Sequence, residues 1–267
     1  MSPVKEAHFF SYLDQKVDFK EPGFFTGKFK YIEDWKTYNA LFDEVQNEHA
    51  IGEASPSYIY IPETAERIHQ HFPDIKLIAI LRNPAERTFS NFIHNRSLPK
   101  HPETINDLKV ALELENQRIQ DGWSSSWHYK QKGFYHQQLE RYYKLFKPEQ
   151  IKICLFEELH TNPQTVLKDI FEFLGVDPNF QADVDTVHNA SGIPKNRIIQ
   201  FVRPCLHKLS GMAKSVLPQS TFLKMKSKLL TKPKLSPKER SDLQETFRED
   251  TEALQSLIQK DLSHWLK

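Results

Sequence analysis

Uninterrupted apolar runs alternate with helix-period patterns along the middle of the chain. Residues 77–81 are continuously apolar, and residues 151–156 form a second such run apart from Lys152. Runs of this kind are typical of parallel strands that are buried on both faces. A helix-period pattern follows each run, and the pattern over 163–174 ends at Gly175. This alternation predicts an α/β fold: a doubly wound parallel sheet with ligands at the carboxyl ends of its strands.

Two further short strands are predicted upstream. Glu6 and His8 alternate with apolar neighbours, which indicates a short N-terminal strand. Its polar side chains belong either to a functional site or to an ordinary solvated edge strand. A strand over 50–54 precedes a Ser/Pro-rich turn, and a helix opened by Pro62 leads from there into 77–81. We therefore expect a βαβ unit with two parallel strands and a right-handed crossover.

The remaining helix-period patterns define the organisation of the chain. They cover about 35–45, 104–120, 138–146 and a long C-terminal helix after Ser236. Residues 97–130 form a looser insertion whose Trp/Ser-rich part suits a lid, an acceptor surface or a plain surface loop. We predict a single domain over 1–267, with an α/β core over 1–200 and a helical part over 201–267.

The turn after the apolar run 77–81 is a candidate anion site. Asn83 can cap the next helix, Pro84 suits its first position, and Glu86 would complete a capping box. Arg82 stands at the end of the strand, and Ser90 lies two turns into the helix. A helix N-terminus beside an arginine is a ready anion site, although an ordinary βα turn has the same pattern.

Composition narrows the function classes. The 267 residues carry a net charge of +1, which argues against bulk attraction to nucleic acid or to membrane surfaces. No apolar run approaches the roughly 18 residues of a transmembrane segment. Cys154 and Cys205 lie in an apolar strand-like run and a predicted helix, which suggests either a reducing, cytoplasmic compartment or indifference to the redox conditions. No His/Cys cluster has metal-ligand spacing, so we expect no metal cofactor.

Several motifs occur in order along nearly the whole chain. They are Lys-Glu-x-His-Phe-Phe from Lys5, Gly-Glu-Ala-Ser-Pro-Ser-Tyr from Gly52, Lys-Leu-Ile-x-Ile-Leu-Arg-Asn-Pro-x-x-Arg-x-x-Ser from Lys76, Lys-Gly-x-Tyr from Lys132, and Asp-Leu-Ser-x-Trp from Asp261. This set resembles the sulfotransferases that use 3′-phosphoadenosine 5′-phosphosulfate (PAPS), especially bacterial members related to the heparan-sulfate-type enzymes. The resemblance implies a P-loop-NTPase-like sheet flanked by helices. It also implies sulfuryl transfer from PAPS to a hydroxyl or amine of a carbohydrate or small-molecule acceptor, without a metal.

The resemblance also implies roles for individual residues. Arg82 and Ser90 fall on the residues that hold the 3′-phosphate of the nucleotide. Glu6 falls on the general base and His8 on a nearby active-site histidine, with Lys5 beside the donor. The remaining nucleotide-binding residues are Gly133, Tyr135 and, by a looser correspondence, Lys195 and Arg197. Arg87 is expected to pair with an acidic neighbour.

One part of the family pattern is missing from this sequence. Relatives carry a strand, a Lys-x-Gly-Thr-Thr-type phosphosulfate loop and a helix before the Lys-Glu-x-His-Phe-Phe motif, whereas only residues 1–4 precede it here. The loss amounts to roughly 30 residues, the size of one βα unit. It should leave strand edges unpaired and a gap in the core. Ala54 also stands where the family has a second active-site lysine.

This departure leaves alternatives open. Met1 is either an internal start of a longer, N-terminally truncated product or the start of a catalytically impaired relative. In both cases we expect little or no transferase activity from the 267-residue chain alone. A non-catalytic nucleotide- or glycan-binding relative is a second hypothesis. A P-loop nucleotide kinase is disfavoured because no Walker motif or acidic Mg²⁺-binding pair stands out.

Overall fold

A parallel pair of strands lies at the centre of the structure. The computed structural model describes residues 1–21, 31–98, 102–184, 193–194, 230–231 and 233–267. Strand β1 (Leu77–Leu81) pairs with β2 (Ile151–Leu155), with Leu77 opposite Ile151 and Leu81 opposite Leu155. The two apolar runs therefore form parallel strands, as predicted. They belong to an α/β arrangement of a parallel sheet flanked by helices.

Strand β1 is partly exposed. Among the described residues it pairs with β2 alone, so its other edge has no partner strand within those ranges. On one face of β1 the side chains of Ile78 and Ile80 are 40% and 52% exposed, so the expectation of burial on both faces is wrong for this strand.

The helices that follow the two strands agree with the sequence pattern. Helix α5 (Pro84–Arg96) begins directly after β1. After β2 come a short helix α9 (Phe156–Thr161) and then α10 (Pro163–Leu174). Helix α10 ends at Gly175, whose φ of 78° is the left-handed conformation that glycine adopts without strain.

The two strands predicted upstream are not formed. Residues 50–54 have no regular structure, and the N-terminal segment turns into helix α1 (Phe9–Tyr12). Glu6 and His8 adopt φ angles of 60° and 54°, which break an extended conformation. The predicted βαβ unit is therefore wrong, because these segments make isolated contacts in place of a strand ladder.

Most other helices lie close to their predicted positions. The helix expected to open at Pro62 begins at Thr64, and the pattern over 104–120 is divided at Leu114 into two helices. The remaining helices are α2 (Trp35–Asn39), α3 (Ser57–Tyr60), α4 (Thr64–His71), α6 (Leu108–Glu113), α7 (Glu115–Gln120), α8 (Tyr135–Tyr143) and α11 (Pro237–Ile258). Short 3₁₀ turns cover Ala40–Phe42, Ser125–Trp127, Gln131–Gly133, Pro148–Gln150 and Ser263–Leu266. Strands β3 (Ile193–Pro194) and β4 (Leu230–Thr231) form a short antiparallel ladder. Within the described ranges no helix has the length and apolar content that a membrane crossing requires.

The long C-terminal helix α11 joins the two parts of the core. Its Leu254 is buried in the cluster that contains Leu81 of β1. Its Leu243 and Phe247 are buried in a second cluster beneath α5. Ser236 caps α11 by accepting a hydrogen bond from the amide of Glu239, and the Glu239 side chain completes a capping box. The described C-terminal residues thus pack against the α/β centre.

The segment predicted as a loose insertion has a firm internal anchor. Glu103 and Arg118 are 5% and 7% exposed and form an ion pair with an N–O distance of 2.6 Å. The hydroxyl of Tyr129 donates to the same carboxylate at 2.8 Å, and the Arg118 guanidinium lies over the rings of Trp123 and Trp127. A buried pair with these additional partners holds the segment in one conformation.

Candidate active site

The three predicted catalytic residues lie together at the N-terminal segment. Lys5 Nζ is 3.5 Å from Glu6 Oε1, and His8 Nε2 is 3.8 Å from Glu6 Oε2. The Glu6 side chain is 39% exposed, so its carboxylate is reachable from solvent. A carboxylate between two nitrogen groups can accept a proton from a bound acceptor.

His8 is held by the Ser/Pro-rich turn. Its Nδ1 is 2.6 Å from Ser57 Oγ, and its backbone amide donates to Ser55 Oγ at 2.9 Å. Burial lowers the pKa of His8; the nearby Glu6 carboxylate opposes this shift, and the Lys132 cation adds to it. His8 is therefore neutral at physiological pH.

Lys132 is a candidate site residue that the sequence analysis quoted within Lys-Gly-x-Tyr but did not select. Its ammonium group makes no hydrogen bond or ion pair within the described part of the chain, and it lies 6.0 Å from the centre of the Tyr60 ring. Burial and the Arg87 cation lower the pKa of Lys132 to about 7, whereas the Glu115 and Glu6 carboxylates oppose that shift. A buried cation without a direct ion-pair partner among the described residues is suited to an anionic ligand.

The turn that carries Lys132 connects this region to the Arg82 turn. A Cβ atom on Gly133 would lie 2.6 Å from the Phe247 ring and 3.3 Å from Pro84, so glycine is required here by close packing. The hydroxyl of Tyr135 donates to the carbonyl oxygen of Arg82 at 3.0 Å. Both residues thus lie beside the predicted 3′-phosphate residues, and their contact with a nucleotide stays a prediction.

The start of α5 is capped differently from the prediction. Asn83 Oδ1 accepts hydrogen bonds from the amides of Ala85 and Glu86, as expected. The amide of Asn83, however, donates to Glu157 Oε1 at 2.9 Å. The predicted capping box with Glu86 is therefore wrong, because Glu157 takes that place. Since protein groups already satisfy these amides, anion binding here depends on side chains.

Arg82 is the exposed cation at this turn. It is 33% exposed, with Nη2 3.9 Å from Glu86 Oε2 and its guanidinium 5.1 Å from the Phe156 ring centre. Glu86 also forms an ion pair with Arg240 of α11. Ser90 is half-buried, and its hydroxyl makes no hydrogen bond to the described residues. The structure thus places Arg82 and Ser90 on one strand–helix unit without a bond between them.

Arg87 does not have the acidic partner expected from the sequence. Its Nη2 donates to the carbonyl oxygen of Tyr129 and, at 3.0 Å, to Thr88 Oγ1. No carboxylate of the described residues lies within ion-pair distance of its guanidinium. The prediction is wrong because Arg87 instead ties α5 to the segment before Lys132.

The predicted nucleotide-binding residues Lys195 and Arg197 lie outside the described residues. No group of three or more His, Cys, Asp or Glu side chains in the described ranges is arranged to hold a metal ion.

The N-terminal segment around Lys20 and Glu21 contacts the Trp/Ser-rich loop around Gly122 and Ser124. The amide of Lys20 donates to the carbonyl oxygen of Gly122 at 3.1 Å, and the amide of Ser124 donates to Glu21 Oε2 at 2.9 Å. Nearby, the hydroxyl of Tyr60 lies 2.8 Å from Nδ1 of His128. The Trp/Ser-rich loop therefore forms one wall together with the N-terminal segment.

Comparison with known proteins identifies the family. The sequence model of the sulfotransferase domain matches residues 6–255. The chain belongs to the sulfotransferase domain family. The crystal structure of a sulfotransferase from Alicyclobacillus acidocaldarius superposes with a TM-score of 0.76 at 31% identity, covering 100% of this sulfotransferase chain and 87% of that one.

Curated relatives of this sulfotransferase include animal enzymes. Bifunctional heparan sulfate N-deacetylase/N-sulfotransferase 3 of Mus musculus is 29% identical over 168 residues, which are 60% of this chain and 18% of the relative. Heparan sulfate glucosamine 3-O-sulfotransferase 6 of Homo sapiens is 28% identical over 203 residues, which are 75% of this chain and 57% of the relative. The alignments thus span less than two thirds of these proteins.

Proposed function

We propose that this chain carries the acceptor-activating and 3′-phosphate-binding parts of a sulfotransferase that uses PAPS. The observation that carries the proposal is the contact of Glu6 with Lys5 and His8, at 3.5 and 3.8 Å. The Glu6 carboxylate also interacts electrostatically with Lys132, whose ammonium group has no ion-pair partner among the described residues. Sulfuryl transfer requires a base for the acceptor proton and a cation where the leaving oxygen gains charge. Both kinds of group occur here.

The residues divide the chemistry between them. PAPS, when bound, supplies the sulfuryl group, and adenosine 3′,5′-bisphosphate is the product that leaves. Glu6 would take the proton from the acceptor hydroxyl or amine as the acceptor atom bonds to sulfur. Lys132 would stabilise the negative charge on the oxygen whose bond to sulfur breaks. Arg82 and Ser90 would hold the 3′-phosphate, because a planar guanidinium and a hydroxyl that has no partner in the described ranges are suitable phosphate donors.

The described residues fit only part of the donor. The amides at the start of α5 are already used by Asn83 and Glu157, and no Gly-Thr-Thr loop exists in the sequence. A cradle of backbone amides for the phosphosulfate would therefore have to come from outside these residues. We accordingly propose that these 267 residues by themselves catalyse little PAPS turnover.

A carbohydrate or other small hydroxyl or amine compound is the proposed acceptor. The names of the relatives describe sulfation of heparan sulfate, which supports a carbohydrate. The ring of Tyr31 lies between the rings of His8 and Tyr12, and it connects His8 to the wall formed by residues 12–21 and 122–128. This wall offers tyrosine, serine and tryptophan side chains. We propose a cytoplasmic location from the cysteine usage alone.

Calorimetric titration of Arg82→Gln with adenosine 3′,5′-bisphosphate tests the nucleotide assignment. Charge-assisted hydrogen bonds are worth about 1.5–3 kcal/mol, so affinity should fall roughly 10- to 100-fold. Affinity for adenosine 5′-monophosphate, which has no 3′-phosphate, should stay unchanged. Arg96→Gln, at the other end of α5, is the matched control. Equal losses for both nucleotides, or none, would rule out the assignment.

The second candidate is a non-catalytic nucleotide- or glycan-binding protein, and the lack of a Gly-Thr-Thr loop in these residues favours it. Glu6→Gln separates the two functions in a chain extended by a strand–loop–helix unit that carries such a loop. An enzyme should lose turnover while keeping its affinity for adenosine 3′,5′-bisphosphate. Absence of turnover in the extended chain with Glu6 intact would support the binding protein.

A further inference from the structure

Glu6 and His8 share an uncommon backbone conformation. Both have positive φ angles, 60° and 54°, although neither is glycine. Such a conformation persists only where surrounding groups hold it in place, and it is frequent at functional sites. The intervening Ala7 is 1% exposed, and its carbonyl oxygen accepts from the amide of Ile32 at 3.5 Å. Packing therefore fixes the backbone between the two side chains.

Two buried hydroxyl groups are hydrogen-bonded in series to the imidazole of His8. Ser57 Oγ lies 2.6 Å from His8 Nδ1 and 2.6 Å from Ser11 Oγ. Ser11 is 0% and Ser57 is 5% exposed, which leaves little access for water. The Ser11 hydroxyl has no other hydrogen-bond partner among the described residues.

The direction of the hydrogen bonds between Ser11, Ser57 and His8 follows from counting donors and acceptors. If His8 Nδ1 carried the proton, Ser57 would donate to Ser11, and the Ser11 proton would be buried without an acceptor. The bare Nε2 would then also face the Glu6 carboxylate at 3.8 Å. In the opposite direction, Ser11 donates to Ser57, Ser57 donates to Nδ1, and every hydroxyl proton has an acceptor. The proton of neutral His8 then lies on Nε2.

We propose that Ser57 and Ser11 are positioning residues that keep the proton of neutral His8 on Nε2, facing the carboxylate of Glu6. The N–H edge of the ring then lies against Glu6 and orients the carboxylate without transferring charge to it. The inference rests on the proposed function for the meaning of this contact. The tautomer itself can be measured without donor, acceptor or turnover.

Long-range ¹H–¹⁵N correlation spectra of the full chain at neutral pH report the tautomer of His8, with His8→Gln to assign the signals. The wild-type spectrum should show a protonated Nε2 and an unprotonated Nδ1. Ser57→Ala should raise the share of the Nδ1–H tautomer by about tenfold, the effect of losing one hydrogen bond. Ser57→Thr keeps the hydroxyl and should keep the wild-type tautomer. Ser256→Ala, on the exposed surface of α11, is the control and should change nothing.

The spectra can also contradict the inference. A wild-type His8 with its proton on Nδ1 would overturn it, as would an unchanged tautomer ratio in Ser57→Ala. If Ser57→Ala does not fold, Ser57→Cys serves instead; its thiol is a weak donor, so a smaller shift in the same direction is expected. Failure of the Arg82→Gln nucleotide test would refute the proposed function but leave the tautomer result standing, so the two failures are distinguishable.

Discussion

Oε1 of the buried Glu115 accepts a hydrogen bond from the amide of Gln131 at 2.8 Å. Oε2 of the same carboxylate accepts from the amide of Lys130 at 2.7 Å. These two amides begin the 3₁₀ turn that carries Lys132, so the Glu115 carboxylate holds this turn in place. Burial raises the pKa of Glu115, and the two backbone amides oppose that shift. A carboxylate far from Lys132 in sequence thus determines where its ammonium group lies.

Glu115→Gln should destabilise the fold. A glutamine has one acceptor oxygen, so its NH₂ group would face one of the two backbone amides and leave it unsatisfied. The expected loss is about 1–3 kcal/mol in the free energy of unfolding. Urea denaturation measures it, with Glu113→Gln on the exposed side of α6 as control. The control should change stability by less than about 0.5 kcal/mol. Equal stabilities of the two variants would contradict the anchoring role of Glu115.

Binding of adenosine 3′,5′-bisphosphate should weaken as the pH rises through about 7, where Lys132 loses its charge. Lys132→Arg stays charged and should keep its affinity at about pH 8. Lys132→Met should bind weakly at both about pH 6 and pH 8. The titration of the ligand phosphate is common to all three proteins, so differences between them belong to residue 132. Parallel pH profiles of wild type and Lys132→Arg would argue against an anion-binding Lys132.

Gly133→Ala should destabilise the protein because its new Cβ would lie 2.6 Å from the Phe247 ring. Overpacking of this kind costs about 1–3 kcal/mol. Gly52→Ala is the matched control, since a Cβ there meets only the Met1 sulfur at 3.7 Å. Urea denaturation of both variants compares the two positions. A Gly133→Ala protein as stable as Gly52→Ala would show that Phe247 can move aside.

Stability should fall in mild acid because of His128. Its Nε2–H donates to the carbonyl oxygen of Trp123, and its Nδ1 accepts from the hydroxyl of Tyr60. Burial, chiefly, lowers its pKa to about 4. As the pH falls below about 6.5, the unfolded chain therefore binds the proton first, and stability is lost until about pH 4. Each unit of difference between the pKa values of the unfolded and folded states contributes about 1.36 kcal/mol, so the total loss of stability is roughly 3 kcal/mol.

Unfolding by urea at about pH 7 and pH 4.5 measures this loss. His128→Gln should show a smaller difference between the two pH values than the wild type. His49→Gln, at an exposed position, should behave like the wild type. An undiminished difference in His128→Gln would assign the acid sensitivity to other groups.

The local sequence was sufficient to predict those elements that depend on residues only a few positions apart. The apolar runs of β1 and β2, the glycine that ends α10 and the capping box of α11 each depend on residues within a few positions. The motifs around Glu6, Arg82 and Lys132 likewise indicated the sulfotransferase family before any contact was known. Alternation of polar and apolar residues over 5–10, by contrast, predicted a strand that does not form.

Tertiary structure decided the features that depend on partners distant in sequence. Glu157 replaced Glu86 at the start of α5, and Glu115 anchored the turn of Lys132, because a hydrogen bond requires proximity in space and not in sequence. The positive φ angle of His8 occurs where its amide donates to Ser55 and its ring contacts Ser57, both distant in sequence. The sequence by itself therefore determined strands β1 and β2, the end of α10, the start of α11 and the family of this protein. Folding decided how the candidate catalytic groups are charged, oriented and held.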